Sequence, residues 1–297
     1  MTLRINPDLT ASTLFGLQQA TQREADALTE LSSGKRVNAP SDDPAATASV
    51  IGVHAGQQQN DTFKNNVSDV RGILSAGQSA LDSVVSALNQ AISYGTQGGD
   101  ATLSSANRQV LANQVLQVRD QVLALANTTY QGNYIFSGTQ ALTQPYVVDT
   151  NQTSGVAFQG NDGVNQVEIA PGQSIATNVP GDQIFSSPSA DVFQALNQLS
   201  TALQSNGDIK TALAGVQSAF NQVTSQRVFY GNALKQLDST DTYLDTDRVN
   251  LSQRENDLIG VDLSAAVVQM QQATLARQAA LSAASSISQL SLLDFLK

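Results

Sequence analysis

Cysteine is absent from the 297 residues, and histidine occurs once. The first absence excludes disulfides, thiolate metal sites and a cysteine nucleophile. With His54 alone, no histidine cluster can hold a metal. Charge is scarce as well: 13% of residues are charged, with 25 acidic against 15 basic side chains and a formal net charge of −10. Affinity for nucleic acid comes from neutralising phosphates with Lys and Arg, so this balance argues against a DNA or RNA partner. No run approaches eighteen apolar residues, so no membrane span is expected. The opening "MTLRINPDLTASTLFGLQQA" lacks the apolar region of a signal peptide.

What is present is helical periodicity. A first helix is expected over about 10–33, with Leu14, Leu17, Leu28 and Leu31 at helical spacing. A second runs from Pro44 to about Tyr94. Its seam alternates by four and three through Phe63, Val67, Val70, Leu74, Gly77, Leu81, Val84, Leu88 and Ala91. A third spans about 103–129, with Leu111, Val115, Val118, Val122 and Leu125. A long fourth segment covers about 208–258, where Arg227, Asp241 and Arg248 interrupt the seam. The last helix is expected over about 263–290.

Residues 131–189 are different material. They hold most of the prolines and the short β-type runs "PYVVD", "GVAFQG" and "NQVEIA", separated by Gly, Asn and Asp. A short helix at about 190–204 follows. The expected fold class is mainly α with an inserted β-rich domain, the N- and C-terminal segments forming a long helical bundle or coiled coil.

The C-terminal segment has a weak seam. In Ser264–Ser291, 19 of 28 residues are Ala, Ser or Gln, and Arg277 is the only charge. Its seam reads Ala266, Ala273, Ala276, Ala280, Ala283, Ile287 and Leu290. Burying a methyl-sized group contributes under about 1 kcal/mol, while fixing a residue costs about 1–2 kcal/mol. Such a helix is weakly stable alone, and the expectation is that both chain ends are ordered by assembly.

Candidate chemistry fails on inventory. "SSGKR" ends like a phosphate loop, but Thr29 and Arg36 stand where G-x-x-x-x-G-K-[ST] needs Gly and Ser or Thr. Asp42-Asp43 are better read as a helix start, with Asp43 capping the second helix and Pro44 in its first position. Lys35 and Arg36 are placed to face the negative end of the first helix. His54 reads as a surface or seam residue. "GNDG" (160–163) lacks the later oxygen ligands of a calcium loop and reads as a tight hairpin turn. The middle segment 131–189 has no Lys, Arg or His. No catalytic, metal or cofactor-binding residue is expected, and no enzyme.

The stretch "LSSGKRVNAPSDDPAATA" (31–48) resembles the N-terminal signature of bacterial flagellins and their relatives, roughly L-S-S-G-x-R-[IV]-N-x-x-x-D-D-x-A. Leu31, Ser32, Ser33, Gly34, Arg36, Val37, Asn38, Asp42, Asp43 and Ala45 match it. "QQATLARQAALSAASSISQLSLLDFLK" is similar to the Ala/Gln/Ser-rich C-terminal helix of that superfamily. "GNYIFSGT" (132–139) and "GVAFQGNDGVNQVEIAPGQSIATNVPGDQIF" are similar to segments of its hook-associated branch.

The resemblance implies a secreted structural component of the bacterial flagellum, exported unfolded through the growing organelle. It implies a homo-oligomeric ring at the hook–filament junction. The partners implied are hook-associated protein 1 (FlgK type), flagellin, and an export chaperone (FlgN type) at the C-terminal helix. It divides the chain into inner-tube helices with their connecting loops (1–43, 262–297), a helical bundle (44–130, 190–261) and an outer β-rich insert (131–189). Assembly residues implied are Leu31, Gly34, Arg36, Asn38, Asp42 and Asp43 at the N-terminal signature. At the C-terminus they are Ala276, Ala280, Ala283, Ile287, Leu290, Leu292, Leu293, Phe295 and Leu296. The alternative within the superfamily is a flagellin proper, which would form the filament itself.

Overall fold

The computed structural model describes the backbone of residues 7–295 and the side chains of residues 11–286. In chain order the elements are α1 (Pro7–Ser33), α2 (Pro44–Gly98), α3 (Ser105–Ala126), β1 (Thr129–Tyr130), β2 (Asn133–Tyr134), β3 (Tyr146–Val148) and β4 (Val156–Phe158). There follow β5 (Gln166–Ala170), β6 (Gln173–Ala176), α4 (Gly181–Phe185), β7 (Ser186–Ser187), β8 (Ala190–Asp191), α5 (Val192–Ser205), α6 (Ile209–Ile259) and α7 (Leu263–Phe295). Two compact units result, residues 1–59 with 246–297 and residues 60–245. The long helices α2 and α6 each contribute to both.

In the unit 60–245, the four-three seam of α2 is the spine. Every side chain of it from Phe63 to Ala91 is buried, with Leu74, Leu81, Val84 and Leu88 fully inaccessible. These residues share one core with Val115 and Val122 of α3, Leu196 and Leu199 of α5, and Val216, Val223 and Leu237 of α6. Gly77 lies in this seam because Tyr230 of α6 lies over it, and an added Cβ would come within 2.4 Å of that ring. Two of the three charges that interrupt the α6 seam pair across to α2: Asp241 with Lys64 and Arg71, and Arg227 with Asp82.

The middle segment is four two-stranded antiparallel hairpins, β1–β2, β3–β4, β5–β6 and β7–β8. None could bury its own face. An aromatic cluster ties them to the helices: Tyr146 stacks against Phe158, Phe185 and Phe193, with centroids 5.2, 5.8 and 5.1 Å away. Phe136 and Phe185 meet edge to face at 5.3 Å. These rings belong to the same core as the bundle seam. The "GNDG" segment is not a hairpin turn: it links β4 to β5, which do not pair. Asn161 explains why, since its Oδ1 accepts from the backbone of Thr139 and Gly163 and bends the chain between two hairpins.

In the other unit, α1 and α7 pack along each other. On α1 the inward positions are Thr13, Leu17, Ala20, Glu24, Ala27 and Leu31, again alternating by four and three. On α7 they are Ala266, Met270, Ala273, Arg277, Ala280 and Ala284. Glu24 holds the centre, paired with Arg277 and accepting a hydrogen bond from Thr274 Oγ1 at 3.2 Å.

Candidate assembly joint

α1 and α2 are joined by residues 34–43, and α6 and α7 by residues 260–262; the two connections are zipped together. Gly34 ends α1 in the left-handed region (φ 69°), a helix stop that suits glycine. Its carbonyl accepts from Val261 N at 3.1 Å, and Arg36 N donates to Ile259 O at 2.7 Å. Lys35 and Gly260 thereby form an antiparallel bridge. Under it lies a small apolar core of Val37, Ala46, Val50 and Ile259, with Leu258 against it.

The two aspartates have separate tasks. Asp42 Oδ2 accepts from Asn38 N at 3.0 Å and Ala39 N at 2.8 Å, which folds the loop back on itself. Asp43 Oδ1 accepts from Ala46 N at 3.0 Å and caps α2, with Pro44 in the first helical position. These backbone hydrogen bonds, to Ala39 for Asp42 and Ala46 for Asp43, hold both carboxyls below the usual range. Asn38 Nδ2 donates to Lys35 O at 2.7 Å.

Lys35 and Arg36 do not serve the end of α1. Arg36 Nη2 donates to Leu258 O at 3.1 Å and to Asp43 Oδ2 at 3.2 Å, so its charge sits at the carbonyl end of α6. Lys35 Nζ reaches Glu255 Oε1 at 3.1 Å. The bridge turns both side chains towards α6, away from the helix they follow.

Glu255 is the residue sequence reasoning missed. Besides Lys35 it meets His54 Nε2 at 3.2 Å and accepts from Gln57 Nε2 at 3.1 Å, so it ties the loop, α2 and α6 together. The hydrogen bonds from Gln57, His54 and Lys35 pull its carboxyl down to about 2. Nothing local in "QRENDL" marks it, since all three partners are about 200 residues away in sequence.

The remaining expected residues divide as follows. Leu31 is half-buried in the α1–α7 seam, as is Ala280. Ala276 and Ala283 are exposed, one residue off the inward phase that Arg277 and Ala284 occupy. Alanine stands on several faces of α7, so a methyl pattern cannot fix the phase; the Glu24–Arg277 pair does. Ile287, Leu290, Leu292, Leu293 and Phe295 lie on helical backbone whose side chains fall outside the described residues, and Leu296 lies beyond them altogether.

The same phase leaves several large apolar side chains of both helices facing out. Leu14, Phe15 and Leu28 of α1 are 59, 66 and 57% exposed, and Val268, Leu275 and Leu281 of α7 are 52, 64 and 47% exposed. The buried side chains of the pair are the small ones, Ala20, Ala27, Ala266 and Ala273, while these larger ones stay exposed, unlike a helix pair built to stand alone.

Residues 7–141 match the bacterial flagellin N-terminal helical region, and residues 213–296 match the bacterial flagellin C-terminal helical region. The chain belongs to the bacterial flagellin family. It is similar to flagellar hook-associated protein 3 of Escherichia coli, with 29% identity over 265 residues, 80% of this chain and 82% of that protein. Similarity to the flagellin of Bacillus subtilis is lower, 25% over 283 residues and 88% of each chain. The fold resembles the crystal structure of the flagellar junction protein FlgL from Legionella pneumophila. There the TM-score is 0.62 at 16% identity, covering 72% of this chain and all of that one.

Proposed function

We propose that this chain is a structural junction protein of the bacterial flagellum, joining hook-associated protein 1 at the hook end to the flagellin filament. The observation that carries the reading is the α1–α7 pair, whose buried side chains are alanines while Leu14, Phe15, Leu28 and Leu275 are exposed. Exposed apolar side chains gathered in this way mark a surface that neighbouring helices cover. Similarity to hook-associated protein 3 over four-fifths of the chain supports the junction role.

In this reading α1, α7 and their connecting loops (1–43, 262–297) form an inner tube with copies of themselves in a homo-oligomeric ring. The helical segments 44–130 and 190–261 surround it, and residues 131–189 face outward. The chain is secreted without catalysis or cofactor, and an export chaperone covers the C-terminal helix beforehand.

The second reading, a flagellin that builds the filament itself, is favoured by the similarity to Bacillus subtilis flagellin along 88% of each chain. Deleting the gene separates the two. Loss of a junction protein leaves hooks intact and releases flagellin monomer into the medium, whereas loss of a flagellin leaves no flagellin to release. Purified chain seeded with filament fragments should not elongate them.

A further inference from the structure

The unit 60–245 contains a cleft of about 350 Å³ between α2 and the β1–β2 hairpin. Asp69 and Ile73 line it from the helix, Tyr130, Asn133 and Tyr134 from the hairpin, and Asn178 from behind. The walls are fixed. Tyr130 lies against Gly72, where an added Cβ would stand 2.0 Å from its hydroxyl. The hairpin tip, Gln131-Gly132, has both φ angles positive (49° and 83°), the tight turn that suits strand twist. Asn178 is 5% exposed; it accepts from Asn165 N at 2.8 Å and donates to Gly163 O at 3.1 Å.

The lining is selective in what it offers. No Lys, Arg or His contributes, so nothing in the cleft favours an anion. Among the described residues, the carboxylate of Asp69, the amide of Asn133 and the hydroxyl of Tyr134 make no hydrogen bond within the chain. Beside these three groups lie the apolar surfaces of Ile73, Ile135 and Ala141. A carboxylate, an amide and a phenol around an apolar floor match a ligand with hydroxyls on its rim and C–H groups on its face.

We propose that this cleft binds a neutral carbohydrate, one pyranose ring filling it, with Asp69, Asn133 and Tyr134 taking its hydroxyls. The proposal rests on the unit 60–245 alone and stands whether the chain acts at a junction or in a filament. The test is a titration of the full-length ¹⁵N-labelled chain with methyl glucoside, methyl galactoside and N-acetylglucosamine, followed by amide shifts. The expected result is saturable shifts confined to Tyr130–Tyr134, Asn165 and Thr177, with a dissociation constant on the order of 1 mM for at least one sugar.

Tyr134→Phe and Asp69→Asn, checked for an otherwise unchanged spectrum, each weaken that binding about 5- to 10-fold. Absence of shifts with all three sugars at about 20 mM, twentyfold above that constant, overturns the proposal. So do shifts that both variants leave unaltered.

Discussion

Lys35 and Glu255 stand 220 positions apart in the chain and meet at 3.1 Å, so the loop after the first helix is fastened to the last turns of α6. Glu255→Gln keeps an oxygen acceptor for Lys35 but loses the charge that all three partners share. Amide exchange at Arg36 and Val261, whose N–H groups close the joint, should quicken about fivefold, the effect of about 1 kcal/mol. Exchange in the seam of the unit 60–245, at Leu81 and Leu88, should not change.

Acid should open the same joint. The Glu255 carboxyl titrates near 2 in the folded chain, against an ordinary value of 4.5. A depressed carboxyl stabilises the fold above its ordinary value, and this stabilisation is lost as the pH falls from 4.5 towards 2. Amide protection at Arg36 and Val261, corrected for intrinsic exchange, should therefore fall across that window in the native chain. In Glu255→Gln the part of the fall due to this carboxyl should vanish.

Asp43 combines two roles that substitution can separate. Asp43→Asn retains an oxygen for Ala46 N and removes the charge facing Arg36; Asp43→Ala removes both. Exchange at Ala46 should quicken in the alanine variant and stay near native in the asparagine variant. Equal effects would show that the ion pair, not the cap, starts α2.

Gly77 and Tyr230 test the bundle seam. Gly77→Ala drives a Cβ into the Tyr230 ring and should destabilise the unit by about 1–3 kcal/mol. Tyr230→Leu in the same chain should recover part of that loss, measured by denaturant midpoints. Leu81→Ala, at a fully buried position with no compensating partner, should cost about 2–5 kcal/mol.

These residues also show where the sequence was legible. The α2 seam from Phe63 to Ala91 could be read outright, because large apolar residues at four-three spacing have a definite phase. The Asp43-Pro44 start of α2 was equally plain, since capping is local chemistry. α1 and α7 were legible only in part: Leu17, Leu31, Ala266, Ala273 and Ala280 face the intramolecular partner, whereas Leu14, Leu28, Ala276 and Ala283 follow a helical period but are exposed. Periodicity finds an apolar face without saying whether the same chain covers it. Glu255 and the turn of Arg36 towards Leu258 depend on contacts across the chain and left no local trace. The "GNDG" segment had a turn composition, yet the pairing of β4 with β3 and β5 with β6 decided what it connects.

The central claim is that the outward apolar side chains of α1 and α7 exist for assembly, and one measurement tests it most directly. Leu28→Ser and Leu275→Ser, at positions 57 and 64% exposed, are introduced together and used to complement a gene deletion. The account predicts a monomer whose thermal midpoint matches the native chain, cells with intact hooks, and flagellin monomer in the medium. Normal filaments and motility from the doubly substituted chain would contradict it.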